Sequence, residues 1–599
     1  MSEKVVETKI CKHCNSKFEI RDKDMKFYEK VSSVFAWIKY TIPVPTLCPY
    51  CRQQRRLSFR NERKLYKRKC DATWIDVASI YSPDKSFKVY EQDYWWSDKW
   101  DAMKYGRDYE FSKSFFEQYN DLFKVVPKRD VVKWTALVNC HYVIAIWACK
   151  DCYLLFDSSN SENCYYWNCL DFSQNCIDWY NMKDCIECYE LIDCANCYKC
   201  FNSEKSINCN DSNYLYNCKN CNNCFWCVNL ENKSFYIFNK EYTKTEYLKK
   251  MNTIIDNKDF KNQFNEFKLK FPKISNTIIN SENAFWDLIY NSKDVYDSYE
   301  INDSNNIRYS LRVYQNNNDT VDTFKIINNC SKVYECWVIY KNCFWTYFSI
   351  DCWKECENIF YCSESKAIKN CFWCHWIHHK QYCILNKQYT KEQYEELVPK
   401  IIEHMMETWE WWEFFPSFIS PFGYNETVAN EYFPLSRDEV LNKRHPEFIS
   451  GSIMHEFSKK HSIKDTETSS VWQSKNWPIF NRSDYESPFP KVDKIIPASK
   501  LPNNISNIPD DILNRAIECE ITKKPFRIIK QELEFYRKHN LPIPRRHPDQ
   551  RHFDRMALRN PRKLYDRKCD KCGKNIKTTY APGRSEIVYC EECYNKEVY

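Results

Sequence analysis

The chain has 599 residues, a formal net charge of +7, 43% hydrophobic and 17% aromatic residues, enough for several domains with buried cores. No run of 18 apolar residues occurs, which excludes a membrane span, and the N-terminal sequence lacks the apolar core of a signal peptide. We therefore expect a cytoplasmic protein. In that setting, 35 cysteines favour metal ligands and buried thiols over disulfides.

Glycine is scarce and tryptophan is abundant, with 5 glycines against 21 tryptophans. An ordinary chain contains about 7% glycine. Trp226 and Trp373 each lie inside a C-F-W-C tetrad where a turn is expected, and Trp74 aligns without a gap with Gly573. We interpret many tryptophans as glycines whose UGA codons were read with the standard code. The alternative is that codon bias removed glycine and the tryptophans are genuine.

Residues 1–128 are predicted to form an N-terminal zinc-ribbon module. Two CxxC pairs, separated by 33 residues, would place four thiolates about 2.3 Å from a tetrahedral Zn²⁺. Four protein ligands close the coordination sphere, so this zinc would be structural. A second ribbon in the module is degenerate, because Cys70 is retained while Thr73, Glu91 and Tyr94 occupy the other ligand positions. The predicted zinc ligands are Cys11, Cys14, Cys48 and Cys51.

A run of basic residues follows these two CxxC pairs. Residues 52–69 hold nine Lys or Arg and one Glu, and three arginines recur at helical spacing. On a helix they form a basic face, and arginine binds phosphate in bidentate geometry. The alternatives are a solvated helix paired with acidic neighbours and an internal interface. The candidate nucleic-acid ligands here are Arg52, Arg55, Arg56, Arg60, Arg63 and Lys64.

Residues 129–242 are predicted to form a Cys-rich β-solenoid similar to a parallel β-helix. Cysteines recur every 24 residues at positions 152, 176, 200 and 224, which favours one coil per repeat and stacked side chains. Fifteen of the sixteen cysteines from 140 to 227 also fall in one register of three, and the sequence alone does not explain that step. Residues 285–389 have the features of a second, less regular solenoid.

Each solenoid is followed by a predicted helix that begins with a capping box. Thr243 with Glu246 starts a helical connector over 243–284, and Thr390 with Gln393 starts a helix within 390–424. Residues 425–515 are rich in Pro, Ser and Asn and are interpreted as a linker with a possible insertion.

Two further constellations suggest metal chemistry within the solenoids. Cys218, Cys221, Cys224 and Cys227 are spaced almost as in a ferredoxin. His375, His378 and His379 stand near Cys371 and Cys374, in a pattern that a catalytic metal would use. We favour a packed thiol core for the first set and polar solenoid turns for the second, because the regular repeat explains both.

Residues 516–599 are a diverged copy of the N-terminal module. The segments 60–71 and 559–570 are identical at ten of twelve positions, and the copy again has nine basic residues in 545–568. Here the second ribbon is intact, so we expect a second structural zinc site. Its ligands are Cys569, Cys572, Cys590 and Cys593, and the basic candidates are Arg555, Arg559, Arg562 and Lys563.

Several motifs resemble an uncharacterised Cys-rich zinc-ribbon, treble-clef-like family of candidate-phyla bacteria: "RNERKLYKRKCD", "WWSDKWDAMKYGRDYEF", "KQYCILNKQYTKEQYEELVPKIIEHM" and "TTYAPGRSEIVYCEECYNKEVY". The resemblance covers nearly the full length. It implies glycine at 226, 373, 376 and 412, as the codon interpretation requires. It supplies no activity.

The sequence therefore predicts a multidomain, mainly β protein, with zinc-ribbon modules at both ends flanking two solenoids that are each followed by a helix. No phosphate loop, Rossmann fingerprint or G-x-S-x-G motif occurs, so we expect a non-enzymatic scaffold. The sequence identifies no small-molecule substrate, and we expect no membrane partner. The expected partner is nucleic acid, with RNA favoured, bound by the basic helices. The alternatives are a protein–protein assembly scaffold and a metal or iron–sulfur redox protein.

Overall fold

The structure is a computed structural model that describes residues 3–35, 37–133, 136–254, 260–339, 344–347, 350–352, 356–435, 492 and 494–598. It is mainly β, as the sequence predicts, and about 18 solenoid turns lie between residues 144 and 384. Within the described residues, none of the helices has both the length and the apolar character that crossing a bilayer requires.

The described part of the N-terminal module consists of short antiparallel hairpins, one parallel strand pair formed by β7 and β8, and four α-helices. Its first hairpin carries one CxxC pair in its turn, and its second helix begins at the other CxxC pair. The elements are β1 Val5–Ile10, β2 Lys17–Arg21, α1 Asp22–Val31, β3 Ser33–Phe35, β4 Ile38–Tyr40, α2 Pro49–Leu57, β5 Tyr66–Lys69, β6 Asp76–Ser79, β7 Val89–Tyr90, α3 Gln92–Trp95, α4 Phe115–Val125 and β8 Lys128–Arg129.

The first solenoid is a continuous parallel stack in which each strand pairs with the strand one coil later. A final antiparallel strand, β18, closes the stack after β17. The strands are β9 Ile144–Trp147, β10 Tyr153–Ser159, β11 Glu162–Asp171, β12 Gln174–Lys183, β13 Tyr189–Ala195, β14 Phe201–Glu204, β15 Asn213–Tyr216, β16 Asn222–Val228, β17 Ser234–Ile237 and β18 Lys240–Glu241.

One coil of this solenoid has 12 residues, so the 24-residue recurrence of the sequence spans two coils. Tyr153 pairs with Tyr165, Tyr165 with Ile177, and Ile177 with Tyr189. The prediction of one coil per 24 residues is therefore wrong, although the stacked parallel solenoid is confirmed. The 12-residue step is present in the sequence itself, since Cys164 and Cys188 lie in the intervening coils and only Ser212 interrupts the column.

The three-residue spacing of the cysteines is caused by the backbone conformation of the coil. Every third residue of the coil lies in the left-handed region, for example Asn175 (φ 52°), Asp178 (φ 58°) and Asn181 (φ 56°). Each left-handed residue turns the chain, and the residue after it points inward, as buried Cys176 does. Asn and Asp tolerate this conformation better than other non-glycine residues, which explains their abundance. Four such triplets form one coil with a narrow interior.

Small inward-facing side chains fit this interior and donate hydrogen bonds to backbone carbonyl groups. The Cys164 thiol donates to the carbonyl of Glu162 (3.2 Å) and lies 3.5 Å from that of Ser173. Ser161 makes the same first contact, to the carbonyl of Ser159 at 2.8 Å. The interior core is thus built mainly from cysteine, serine and a few large apolar residues such as Trp179.

The second solenoid is less regular, as predicted. Its coil length is 12 residues between Tyr299 and Leu311 but 13 between Leu311 and Phe324. The extra residue is accommodated by a second left-handed residue, as at Asn328 (φ 65°) and Asn329 (φ 59°). The strands are β20 Ile278–Ile279, β21 Glu282–Tyr290, β22 Lys293–Asn302, β23 Asn305–Arg308, β24 Leu311–Tyr314, β25 Asn318–Val321, β26 Phe324–Ile327, β27 Ser331–Tyr334, β28 Trp337–Ile339, β29 Phe344–Tyr347, β30 Ile350–Cys352, β31 Glu357–Phe360, β32 Lys369–Phe372, β33 Cys383–Ile384 and β34 Lys387–Gln388.

Both predicted capping boxes are present. Thr243 Oγ1 accepts from the amide of Glu246 at 3.3 Å, and Thr390 Oγ1 accepts from the amide of Gln393 at 3.2 Å. The first helical segment is divided, since one helix ends at 253 and the next begins at 260. The helices are α5 Lys244–Thr253, α6 Phe260–Leu269, α7 Lys391–Glu407 and α8 Val428–Tyr432.

The C-terminal module repeats the hairpin-and-helix plan. Most of the expected linker lies outside the described residues, but residues 494–515 contribute buried Leu501, Ile505 and Ile512 to the core of this module. The elements are β19 Lys273–Ile274, β35 Ile495–Pro497, β36 Ala516–Glu518, β37 Pro525–Phe526, α9 Lys530–Lys538, α10 Pro548–Ala557, β38 Tyr565–Lys568, β39 Asn575–Thr578, β40 Val588–Tyr589 and α11 Glu591–Val598.

The chain forms two compact units, and each is discontinuous in sequence. The first contains Met1–Asp130 and Asn276–Glu486, and the second contains Val131–Ser275 and Ser487–Tyr599. Each unit therefore combines one end module with one solenoid. The sequence predicts seven successive segments instead, because it reveals the repeats but not which module packs on which solenoid.

Candidate metal centres and buried arginine contacts

The N-terminal candidate metal centre joins a hairpin turn to the start of a helix. Cys11 and Cys14 lie in the β1–β2 turn, and Cys48 and Cys51 lie at the start of α2. All four sulfur atoms are within 4.8 Å of one another, and Cys14 Sγ is 3.6 Å from Cys48 Sγ. Only Cys14 is exposed. The four predicted ligands are thus brought together.

Polar groups support these thiols. The amide of Cys48 donates to Cys11 Sγ at 3.3 Å, and His13 Nδ1 lies 3.1 Å from Cys51 Sγ. Hydrogen bonds from the thiols of Cys48 and Cys51 lower the pKa of Cys11. An N–H···S contact favours the thiolate, which is the form that binds a metal.

The C-terminal centre has the same construction. The β38–β39 turn supplies Cys569 and Cys572, and Cys590 and Cys593 lie at the start of α11, with the Cys572 and Cys590 sulfur atoms 3.8 Å apart. The amide of Cys590 donates to Cys569 Sγ at 3.3 Å. Burial opposes ionisation, but backbone amides of Cys572 and Cys590 lower the pKa of Cys569 to about 6.

Each set of four cysteine sulfur atoms suits a soft or borderline metal ion with tetrahedral coordination. Sulfur atoms bound about 2.3 Å from a tetrahedral Zn²⁺ are separated by roughly 3.8 Å, close to the two separations above. Four thiolates also leave no open coordination position. Among the described residues, these two quartets are the groups in which three or more ligand atoms lie within 4.8 Å of one another.

The degenerate ribbon of the N-terminal module keeps its backbone geometry around one cysteine. Cys70 is buried, and its sulfur accepts from the amides of Thr73 (3.4 Å) and Glu91 (3.2 Å). The equivalent Cys569 accepts from Cys590 in the intact ribbon. The knuckle fold thus persists where its other ligand positions are changed.

The basic helix of the N-terminal module points into its own unit. Arg52 Nε donates to Asp322 Oδ1 at 2.9 Å, and Arg56 Nη1 donates to the same oxygen at 3.3 Å. Both arginines and Asp322 are almost fully buried. Burial opposes the charge on Arg52, yet Asp322 raises its pKa well above the ordinary value. The helical spacing predicted for Arg52 and Arg56 is confirmed, but α2 ends at Leu57, so the predicted helical face does not extend to Arg60.

The C-terminal module repeats this contact on the other solenoid. Arg551 Nη1 donates to Asp178 Oδ2, and Arg555 Nη1 donates to Asp178 Oδ1 at 3.0 Å. One turn further, Arg559 forms a two-point contact with Asp193, with both distances 3.1 Å. Asp178 is fully buried. The two modules therefore attach to their solenoids by the same chemistry.

The other candidate nucleic-acid ligands vary in exposure. Arg55 is half-buried and donates to Glu413 (2.9 Å) and Glu335 (3.3 Å). Arg60 is buried beside Glu62, and Arg562 is also buried. Arg63 and Lys64 are half-buried, and Lys563 is exposed. Most of the predicted basic face thus lies inside the units rather than on their surface.

A buried glutamate lies beside each arginine pair. Burial raises the pKa of Glu335 to about 7, opposed by Arg55 and Arg56. Burial likewise raises the pKa of Glu532 to about 7, opposed by Arg551 and by hydrogen bonds from two tyrosines, Tyr166 and Tyr536. Each unit therefore contains a carboxyl group that titrates near neutral pH.

The two alternative metal constellations do not converge. Cys218, Cys221, Cys224 and Cys227 follow successive triplets, so they point inward from successive sides of the coil, and among the described residues they do not form a ligand group. Their ferredoxin-like spacing is therefore explained by the three-residue repeat of the coil. Three histidines also diverge: His375 is buried, His378 is half-buried and His379 is exposed.

The partners of the arginines were not evident from the sequence. Asp178 and Asp322 are two of many Asp and Asn residues at left-handed positions, and nothing in their immediate neighbours distinguishes them. The sequence indicates these partners only indirectly. Arginines at matching positions of a duplicated module require acceptors at matching positions of the two solenoids.

Comparison with protein-family models, with curated proteins and with solved structures finds no significant match to the chain.

Proposed function

We propose that the protein is a non-enzymatic scaffold in which zinc-binding end modules brace two β-solenoids, and the solenoid surface binds a protein partner. The observation that carries this proposal is the direction of the basic helices. Arg52, Arg56, Arg551 and Arg555 are buried against carboxylates of their own units. A phosphate backbone cannot reach a guanidinium in that position without separating the module from its solenoid.

Zinc is the proposed ion, since a closed set of four thiolates is the usual structural zinc site. The hairpin turn followed by a helix that begins at the second pair supports a zinc-ribbon or treble-clef assignment for each module. In this role the ion holds the helix that carries the arginines at a fixed angle to the hairpin.

The proposed binding surface, here called the open face, is the side of the first solenoid that carries three exposed apolar side chains. It displays Ile186, Tyr198 and Ile207, whose side chains are 37–41% exposed. Between their columns runs an asparagine ladder in which each Nδ2 donates to the Oδ1 one coil later at 2.9 Å; its members are Asn196, Asn208, Asn220 and Asn232. A flat, mixed apolar and amide surface suits a protein more than a polyanion.

RNA or DNA is the second candidate partner, because some cations of the basic runs do remain exposed. Lys69 on β5, Lys563 before β38 and Lys568 on β38 have exposed side chains. Phosphate contacts by such lysines would produce binding that weakens steeply with salt.

The test compares the two candidates with protein purified from its native source. Co-purifying nucleic acid is quantified with and without nuclease, and co-purifying protein is cross-linked and mapped, between about 50 and 200 mM salt. We expect cross-links on the open face, reduced by Ile207→Asp but unchanged by Lys563→Ala. Nucleic acid that is released by salt and reduced by Lys563→Ala would instead establish the second candidate.

A further inference from the structure

The interior of the first solenoid contains a continuous set of buried thiols. The cysteines stack in columns along the solenoid, as where the amide of Cys188 donates to Cys176 Sγ, one coil earlier, at 3.4 Å. We call this set the thiol array, and its members are Cys164, Cys176, Cys185, Cys188, Cys194, Cys197, Cys200, Cys209, Cys218, Cys221, Cys224 and Cys227.

The array is densest around Cys197. Cys185 and Cys209 stack one coil before and after it in the same column, and Cys194 and Cys200 occupy the neighbouring triplets of its own coil. All five side chains are buried. The 12-residue coil produces this environment, because one left-handed triplet places each cysteine beside the next and the stack repeats the arrangement.

The geometry differs from that of the terminal quartets. Among the described residues, only those quartets bring three or more ligand atoms within 4.8 Å of one another. The array therefore offers thiols in pairs and chains and not in tetrahedral sets, which disfavours Zn²⁺. Thiolates select soft ions, and monovalent copper accepts two sulfur ligands on opposite sides.

We propose that the thiol array binds Cu(I), with each ion held between paired thiolates inside the solenoid. Binding replaces two S–H bonds by two S–Cu bonds and releases two protons, and the copper enters already reduced, so no electron transfer is required. Bridging of one thiolate between successive ions would limit the negative charge that is buried. The proposal is independent of the scaffold function proposed above.

An entrance exists at the start of the stack. Cys140 is partly exposed and stacks one coil before buried Cys152, because His141 pairs with Tyr153; its thiol also donates to the carbonyl of Cys149 at 3.3 Å. Cys164, the first member of the array, stacks one coil after Cys152, because Tyr153 pairs with Tyr165. A chain of thiols thus leads from the surface into the interior, and a soft ion would move along it by ligand exchange.

Serine provides a variant that separates metal binding from packing. Ser161 and Ser173 occupy the same inward column as Cys185, since the Cys185 amide donates to Ser173 Oγ (3.0 Å) and the Ser173 amide to Ser161 Oγ (3.4 Å). Serine there also donates to the carbonyl two residues earlier, as cysteine does. Replacing cysteines of this column by serine keeps size and hydrogen bonding but removes the soft ligand.

The experiment is an anaerobic Cu(I) titration of the zinc-loaded, full-length protein against a competing Cu(I) chelator. Copper bound and zinc released are measured by elemental analysis, together with the ultraviolet thiolate-to-copper absorption. The test variant is Cys185→Ser/Cys197→Ser/Cys209→Ser. The control is Cys70→Ser/Cys519→Ser, which removes two buried cysteines outside the array.

We expect the wild type and the control to bind the same amount of copper, beyond any that replaces zinc, and the test variant to bind at least two ions fewer. Equal copper uptake by the test variant and the wild type would overturn the proposal. If the test variant fails to fold, the wild type alone decides: copper binding that never exceeds the zinc released would also overturn it.

Discussion

Trp74 and Gly573 occupy the same position in two copies of one knuckle, with the same backbone conformation. The φ angles are 62° and 74°, and each residue donates its amide to the carbonyl of the preceding knuckle cysteine, Cys70 or Cys569, at 2.9 Å. Glycine adopts this left-handed conformation freely, whereas a bulky side chain incurs strain. Trp74 gains little in return, because it is 72% exposed.

Other tryptophans are in the same situation, which supports the proposal that many are glycine in the native protein. Trp37 (φ 68°) is 98% exposed and Trp409 (φ 61°) is 77% exposed. The remaining described tryptophans with positive φ are Trp226, Trp286, Trp373, Trp376 and Trp412.

We predict glycine at positions 37, 74 and 409 in peptides from the native source, measured by mass spectrometry. In recombinant protein, Trp74→Gly should raise the free energy of unfolding by about 1 kcal/mol because it relieves left-handed strain. The control is Trp95→Gly, which should destabilise, since Trp95 is buried and packs on Trp100. Tryptophan at position 74 of the native peptide would refute the codon interpretation.

The shared carboxylates of the arginine contacts should dominate the attachment of each module. Asp178→Asn removes the carboxylate that the buried Arg551 and Arg555 share, and we expect a loss of about 3–5 kcal/mol in the free energy of unfolding. Denaturant titration of the variant measures it. Asp322→Asn should act equally through Arg52 and Arg56.

Asp184→Asn is the matched control, because Asp184 also lies at a left-handed position (φ 53°) of the same solenoid but is exposed. It should change stability by less than about 0.5 kcal/mol. Comparable losses for Asp178→Asn and Asp184→Asn would show that the backbone position, and not the arginine contact, is responsible.

The stability of the second unit should depend on pH through Glu532. Its folded-state pKa of about 7 lies above the ordinary 4.5, so the folded protein retains a proton that the unfolded chain releases. Its stabilising contribution is complete below pH 4.5 and is lost as the pH rises through about 7.

Glu532→Gln removes this titration. The stability of the wild type relative to the variant should fall by about 1.4 kcal/mol per pH unit, or about 3 kcal/mol over this window. Denaturant unfolding at a series of pH values measures the difference. Glu534→Gln, on the exposed side of the same helix, should show a difference that does not vary with pH.

Metal removal should affect both end modules. We expect two zinc ions per chain by elemental analysis, and chelation should lower the melting temperature, because structural zinc contributes directly to folding. Cys569→Ser should remove one zinc ion. Cys70→Ser, at the equivalent position of the degenerate ribbon, should leave both ions bound. Loss of zinc from Cys70→Ser would contradict the ligand assignment.

Local patterns in the sequence predict much of this structure. Both capping boxes, both cysteine quartets and the stacked parallel solenoids follow from short-range chemistry that the chain displays directly. Cys11, Cys14, Cys48 and Cys51 converge because a hairpin turn and a helix start each present an adjacent pair. The helical position of Arg52 and Arg56 was likewise expected.

What the sequence does not reveal is long-range pairing. Arg56 and Asp322 are 266 residues apart, and the same arginine spacing is compatible with a solvated face, a phosphate site or an internal contact. The coil length is a different case, because the sequence displays it locally: Cys164 and Cys188 lie midway between the cysteines that recur every 24 residues.

The 12-residue coil also relates the length of the first solenoid directly to the number of residues it contains. Successive parallel strands are about 4.8 Å apart, so each residue of sequence advances the stack by only roughly 0.4 Å. Deleting or adding a whole coil would change the length of the open face by one strand spacing and leave every column in register. A single-residue insertion is absorbed by a second left-handed residue, as at Asn328 and Asn329. Evolution can therefore adjust the length of such a protein in small steps without redesigning its surface.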